Sequence, residues 1–107
     1  MTETLLDVYK RVTSQRLSKF EIARIVGARA LQLAMGAPPL IDVSTVEVKD
    51  PVYIAILELI NGLLPMSILR LRETGEYELV PASKLVTPEV ERYLRSILES
   101  WDISRRV

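Results

Sequence analysis

The stretch that decides the fold spans residues 18–39 and reads SKFEIARIVGARALQLAMGAPP. Ser18 and Glu21 have the spacing of a capping box, in which the two side chains accept hydrogen bonds from free amides at a helix start. No proline interrupts residues 19–35, and Gly36 followed by two prolines supplies a stop. The spacing therefore predicts a helix over residues 19–35.

This helix carries a stripe of small side chains. At 100° per residue Ala23, Gly27, Ala30 and Ala34 align, and apolar residues flank them. Glycine inside a helix costs about 0.5–1 kcal/mol relative to alanine, so Gly27 indicates a close packing contact, either within the molecule or with a partner. The pattern predicts a shallow groove with a small-residue floor. The predicted polar arc opposite it contains Glu21, Arg24, Arg29 and Gln32.

Downstream of Pro38 and Pro39, residues 40–48 are either a short strand or an ordered connector. Asp50 is a good N-cap and Pro51 suits the first helical position, so a second helix is predicted from residue 51 to about residue 60. This helix is apolar almost all round, which is typical of a helix buried on several sides.

The C-terminal half predicts a hairpin and a third helix. Two β-type runs, residues 66–72 and 77–80, flank a turn at Gly75. Thr87 and Pro88 then begin an amphipathic helix, which either folds back onto its own domain, the favoured interpretation, or binds a partner. Its apolar positions are Val90, Tyr93, Leu94, Ile97, Leu98 and Trp101.

The fold class that follows is α+β. We expect a small helical domain with two central helices, a β-hairpin and a C-terminal amphipathic helix. The predicted organisation is a mobile N-terminal arm at residues 1–17, a main domain at residues 18–80 and a helical extension at residues 81–107.

Composition excludes several classes of function. The chain has no cysteine and no histidine, which removes disulfides, thiolate chemistry and the commonest zinc ligands, so no cofactor, metal or independent catalysis is predicted. The 14 basic and 14 acidic residues cancel, which argues against a protein that grips nucleic acid by itself. Residues 1–16 lack a long apolar run, so we expect no membrane association and a cytoplasmic location.

Two sets of charged side chains are candidate sites. The carboxylates nearest apolar segments are Glu21, Asp42, Asp50 and Glu58, and capping or surface charge explains them better than acid–base catalysis. A phosphate-binding face on the first helix would use Lys19, Arg24 and Arg29. Solvated charge or salt bridges to a protein partner are the favoured interpretation.

The run from Phe20 to Pro39 resembles the signature of the archaeal RNA polymerase K subunit, an omega-type small subunit. The resemblance covers about residues 18–80. A second block also fits that family's pattern, at Pro51, Ile54, Ala55, Glu58, Leu59, Gly62, Pro65, Ile68 and Arg70.

The resemblance implies a non-catalytic subunit of DNA-directed RNA polymerase that latches the largest subunit, promotes assembly and stability, and meets DNA only indirectly through the complex. The catalytic aspartates and magnesium would belong to the larger subunit. Two other interpretations are a stand-alone helical adaptor or homodimer, and a small nucleic-acid-binding regulator. The predicted partner interface comprises Phe20, Ala23, Arg24, Gly27, Ala30, Leu31, Ala34, Pro38 and Pro39.

The chain also runs past the usual end of that family. We hypothesise that apolar residues of the third helix cover the unusually apolar second helix, or that an additional partner binds there. The covering residues would be Tyr93, Leu94, Ile97 and Trp101, and the covered ones Ile56, Leu57 and Ile60.

Overall fold

The computed structural model describes residues 4–5 and 16–105, with side chains as far as Trp101. Three helices and one antiparallel hairpin make up the described chain, which confirms the α+β class. In chain order the elements are α1 (Lys19–Ala34), a 3₁₀ turn (Val43–Thr45), α2 (Pro51–Ile60), β1 (Ser67–Leu71), β2 (Tyr77–Pro81), a second 3₁₀ turn (Ala82–Leu85) and α3 (Pro88–Arg105).

The predicted capping box begins α1. The Glu21 N–H donates to the Ser18 hydroxyl at 3.0 Å, and the Ser18 N–H donates to the Glu21 carboxylate at 2.9 Å. Leu17, the residue before the cap, is buried, and its N–H donates to the Leu85 carbonyl at 3.1 Å. The start of α1 is therefore fixed both locally and by the C-terminal part of the fold.

The end of α1 is a Schellman motif. The Ala37 N–H donates to the Gln32 carbonyl at 3.0 Å, and the Gly36 N–H donates to the Leu33 carbonyl at 3.1 Å. Gly36 has φ +103°, a left-handed conformation that glycine adopts without a Cβ penalty. The chain consequently turns back across the helix end, and Pro38 and Pro39 lie near α1.

Helix α2 occupies the centre of the molecule. Asp50 caps it by accepting from the Val52 N–H at 2.8 Å, and Pro51 stands at its first position, as predicted. The helix packs against α1 and against α3. Its buried residues are Ile54, Ala55, Ile56, Glu58 and Leu59, which confirms a helix buried on several sides.

The hairpin is antiparallel, with Leu69 opposite Leu79 and Leu71 opposite Tyr77. Gly75 makes the turn at φ +89° and donates its N–H to the Arg72 carbonyl at 2.9 Å. The stretch 40–48 forms no strand. Of the two predicted alternatives, a short strand or an ordered connector, the structure shows the connector. It contains the 3₁₀ turn that Asp42 caps.

Helix α3 folds back onto the domain, as favoured from the sequence. Leu94 is fully buried, and Tyr93, Leu94 and Ile97 line a small cavity of about 180 Å³ together with Ile56. The Trp101 ring meets the Tyr53 ring edge-on, with centroids 5.6 Å apart and an interplanar angle of 86°. The hypothesis that α3 covers α2 is confirmed at Ile56, and Trp101 contacts Tyr53, a residue that the hypothesis did not include.

One core joins α1, α2, α3 and the second 3₁₀ turn. Its buried members are Leu17, Ile22, Ile25, Val26, Ala30, Ala55, Ile56, Leu59, Leu64, Ala82, Leu85, Val90, Leu94 and Leu98. Most of the predicted N-terminal arm, at residues 1–3 and 6–15, lies outside the described residues. The division into three segments stays a prediction.

Candidate functional site

A buried ion pair joins the two central helices. The Arg29 guanidinium of α1 donates to both carboxylate oxygens of Glu58 of α2, from Nε at 2.6 Å and from Nη2 at 2.9 Å. Arg29 is 6% exposed and Glu58 is 0% exposed. Mutual neutralisation and several hydrogen bonds are what permit two charges to leave water.

The sequence interpretation of both residues was wrong. Arg29 was assigned to the polar arc, and surface charge or capping was preferred for Glu58. Arg29 follows Ile25 by four positions and Val26 by three, so it lies at the border of the buried face of α1. Its partner is 29 positions away in the sequence, and a helical pattern contains no information on that pairing.

The pair also holds the chain that follows α1. Arg29 Nη2 donates to the Pro38 carbonyl at 3.0 Å, and the Leu40 N–H donates to the Glu58 carboxylate at 2.6 Å. Arg29 Nη1 donates to the Gln32 side chain at 3.1 Å. The hydrogen bond to Glu58 raises the pKa of Arg29 above its ordinary value. Residues 38–40 are thus fixed against both helices by a charged network.

One face of α1 is uncovered in the part of the chain that the structure describes. Phe20 is 71% exposed, Leu31 is 61% exposed and Met35 is 80% exposed. Gly27 lies between them, and a Cβ built on it would meet nothing within 4 Å. Packing against residues 4–5 and 16–105 therefore does not account for this glycine. We call Phe20, Gly27, Leu31 and Met35 the open face of α1.

Eight of the nine predicted interface residues lie at the surface. Ala30 is the exception, because it is 8% exposed and belongs to the core. It follows Val26 by four positions and so lies on the side of α1 that packs inward. The exposed eight are Phe20, Ala23, Arg24, Gly27, Leu31, Ala34, Pro38 and Pro39.

The outer face of the hairpin is a second apolar surface, and sequence reasoning missed it. Leu69 is 60% exposed, Leu71 62%, Tyr77 67% and Leu79 68%. The only signal in the sequence is the alternation in both strands, where the other face carries Arg70 and Glu78. Both faces of each strand contain apolar residues, so the pattern does not identify the outer one. We call these four residues the hairpin patch.

A groove of about 500 Å³ connects the two surfaces, between α1 and β1. Phe20, Arg24 and Ala28 line one wall, and Ser67 and Leu69 line the other. The Arg24 guanidinium lies 5.9 Å from the centroid of the Phe20 ring. We call this cleft the α1–β1 groove.

An ion pair fixes the width of the α1–β1 groove at one end. Arg70 Nη2 of β1 donates to the Glu21 carboxylate of α1 at 2.7 Å and to the Arg16 carbonyl at 2.7 Å. Glu21 is the residue that also caps α1. The two walls of the groove are therefore held together through the same carboxylate that begins the helix.

Two kinds of site are absent from residues 4–5 and 16–105. No three His, Cys, Asp or Glu side chains converge in a way that would hold a metal ion. Within the same residues no helix has both the length and the apolar character needed to cross a membrane. What the described side chains offer is exposed apolar surface on a rigid frame.

Comparison with known proteins finds similarity to RNA polymerase subunits. The family model described as RNA polymerase Rpb6 matches residues 11–66. A protein named DNA-directed RNA polymerase subunit Rpo6 from Sulfolobus acidocaldarius is 46% identical over 79 residues, covering 74% of this chain and 89% of the relative. Its namesake from Pyrobaculum aerophilum is 45% identical over 96 residues, covering 84% and 89%. The one from Picrophilus torridus is 56% identical over 54 residues, covering 50% and 88%.

Proposed function

The chain belongs to the RNA polymerase Rpb6 family, and from this premise we propose that it is a non-catalytic subunit of DNA-directed RNA polymerase. Its role is to promote assembly and stability by latching the largest subunit. Relatives that carry the subunit name extend over 74% and 84% of this chain, so the proposal concerns most of its residues.

The observation that carries the proposal is the open face of α1. A glycine in a helix interior weakens the helix, and among the described residues no neighbour packs against Gly27 to compensate for that cost. A partner backbone that approaches closely at Gly27 would supply the compensation, with Phe20 and Leu31 packing on either side of it. Transfer of such apolar surface from water contributes about 25 cal/mol per Å².

The Arg29–Glu58 network supports a latch because it presents the surface already ordered. Pro38 and Leu40 are bonded to the charged pair before any partner arrives. A surface that is ordered in the free protein loses less conformational entropy on binding. The exposed prolines, Pro38 and Pro39, extend the open face beyond the end of α1.

The partners that follow are the largest polymerase subunit and the rest of the complex, in the cytoplasm. DNA is reached only through the complex, since 14 basic and 14 acidic residues leave no net charge for phosphate binding. Lys19, one of the three basic residues weighed for phosphate, lies 5.2 Å from the centroid of the Tyr93 ring, where it packs α1 against α3.

The test is co-purification of the largest subunit with tagged wild-type chain and with Gly27→Leu. Ser96→Leu is the matched control, because Ser96 is an exposed small residue on the outer side of α3. We expect Gly27→Leu to lose binding about tenfold or more, since a bulky side chain blocks close approach, and Ser96→Leu to bind as wild type. Circular dichroism establishes that both variants fold.

Two results contradict the proposal. Absence of binding by the wild-type chain would reject the polymerase partner, and a stable homodimer in sedimentation would then favour the adaptor interpretation. Binding that is unchanged in Gly27→Leu would place the interface away from the open face of α1.

A further inference from the structure

One edge of strand β1 faces away from β2. The register of the hairpin determines which residues of β1 direct their N–H and C=O groups toward that edge. The Arg72 N–H donates to the Glu76 carbonyl at 2.7 Å, and the Ala82 N–H donates to the Met66 carbonyl at 2.8 Å. In an antiparallel ladder the bonded pairs alternate, so the residues that face β2 are the even-numbered ones of β1. The N–H and C=O groups of Ser67, Leu69 and Leu71 consequently point away from β2.

This edge faces the α1–β1 groove. Ser67, Ile68 and Leu69 all line the groove, although successive side chains of a strand point to opposite faces of the sheet. A cavity lined by both faces of β1, and by no residue of β2, runs along the edge of the strand that no described strand pairs with. The outward backbone groups of Ser67 and Leu69 therefore open into the cleft whose other wall is α1.

The edge of β1 lacks the features that normally keep strand edges from pairing. Charged side chains, proline and bulges are the usual protection, whereas the three outward positions of β1 are Ser67, Leu69 and Leu71, all exposed and uncharged. The opposite edge differs because β2 ends at Pro81, which has no N–H to donate. The hairpin is thus more open to pairing on the groove side.

We propose that the α1–β1 groove accepts an extended segment of another polymerase chain, which pairs with β1 as a third strand through the backbone groups of Ser67, Leu69 and Leu71. This inference rests on the proposed function and adds the recognition mode, which is strand addition at a sheet edge. Alternate side chains of the added strand lie beside Leu69 and extend the hairpin patch.

Charge specifies one further property of the bound segment. Arg24 lines the groove and contacts the Phe20 ring, and among the described residues it has no carboxylate partner. Glu21, the one acidic residue among those that line the groove, is already bonded to Arg70. The segment therefore carries an acidic residue opposite Arg24, on an otherwise apolar and uncharged strand.

Amide exchange in the assembled polymerase tests this pairing directly. The complex is labelled with deuterium, quenched and fragmented to single-residue resolution, and compared with the free chain. We expect exchange at Ser67, Leu69 and Leu71 to slow about tenfold or more on assembly, because each amide gains an acceptor. The Leu79 amide, on the opposite edge, serves as the internal reference and changes less.

A pair of proline variants gives an independent measurement. Leu69 and Leu79 are cross-strand partners with outward N–H groups on opposite edges, so either proline removes an outward donor and leaves the ladder between the strands intact. Leu69→Pro is expected to weaken retention in the polymerase about tenfold relative to Leu79→Pro. Arg24→Glu is expected to weaken it too, and Arg92→Glu, an exposed charge on α3, is its control.

A failure of the strand-addition proposal can be distinguished from a failure of the proposed function. If the wild-type chain assembles but the β1 amides exchange at their free rates, or if correctly folded Leu69→Pro and Leu79→Pro are retained equally, strand addition is wrong and the proposed function stands. Concentration-dependent protection of β1 in the isolated chain would make a second copy the occupant and overturn the proposal. No association with the largest subunit would overturn both proposals.

Discussion

The Glu58 carboxylate of α2 and the Arg29 guanidinium of α1 form a buried bidentate ion pair, at 2.6 Å and 2.9 Å, in a chain of 107 residues. The pair links the two central helices and holds Pro38 and Leu40 beside them. It is consequently both a structural element and the support of the surface that we propose for the partner.

Removing one charge of this pair is expected to destabilise the protein strongly. Glu58→Gln leaves the Arg29 charge buried without its counter-charge, which typically costs about 3–5 kcal/mol. Urea unfolding of the full chain, followed by circular dichroism, measures the loss. Glu91→Gln, which removes one partner of the exposed Arg95–Glu91 pair on α3, is the control and should stay within about 0.5 kcal/mol of wild type.

The double variant Arg29→Met, Glu58→Leu separates charge from backbone support. Apolar replacements remove both charges, so the variant should recover part of the stability that Glu58→Gln loses. Recovery should be incomplete, because the Pro38 carbonyl and the Leu40 N–H lose their protein partners, and each lost hydrogen bond contributes about 0.5–1.5 kcal/mol. Stability equal to wild type would show that the network does not hold residues 38–40.

Gly27→Ala should stabilise the free protein. The added methyl group meets nothing within 4 Å, and alanine favours a helix interior by about 0.5–1 kcal/mol over glycine. Gly36→Ala is the matched control with the opposite sign, because Gly36 has φ +103° and a Cβ there is strained by about 1–2 kcal/mol. A rise in the urea midpoint for the first variant and a fall for the second is the expected result.

The ring contact between Tyr53 and Trp101 should be visible as coupling. Alanine variants at each position and at both give a double-mutant cycle, and an edge-to-face pair contributes about 0.5–1.5 kcal/mol beyond its buried area. A second cycle, in which Tyr77→Ala takes the place of Tyr53→Ala, should be additive because Tyr77 is an exposed ring on the hairpin. Additivity in both cycles would mean that α3 does not dock on α2 through Trp101.

The N-cap of α1 makes a further prediction. Ser18→Ala removes the acceptor for the Glu21 N–H and should cost about 1 kcal/mol of unfolding free energy. Ser100→Ala, which removes an exposed hydroxyl from α3, should have little effect. Equal losses in thermal unfolding of the two variants would argue against the capping box as a stabilising feature.

The pH dependence of one carboxylate follows from its neighbour. The hydrogen bond from Arg72 lowers the pKa of Glu78 below its ordinary value of 4.5. Because the pKa of Glu78 is lower in the folded state, the interaction with Arg72 contributes to stability above pH 4.5. That contribution is lost as the pH falls through the folded-state pKa of Glu78. An NMR titration should show the low pKa of Glu78 in wild type, a rise toward the ordinary value in Arg72→Gln, and no change in Arg95→Gln.

Much of the fold was predictable because its signals are local. The capping box, the proline at the start of α2 and the glycine turn of the hairpin each act within a few residues, and the helical spacing of α3 needs only its own segment. Family membership was also apparent from the sequence, since the run from Phe20 to Pro39 and the second block carry the resemblance that the comparisons confirm.

The tertiary structure decided which side chains are buried and which lie at the surface. The sequence established a small-residue stripe on α1, but only packing against α2 placed Ala30 inside and left Gly27 exposed. It supplied Arg29 and Glu58 without pairing them, because burial of a charge depends on a partner that is distant along the chain. The alternation of the two strands was likewise readable from the sequence, whereas only the tertiary structure places α1 across the groove from the outward edge of β1. Helical periodicity fixes which residues share a face, and long-range contacts determine whether that face is buried.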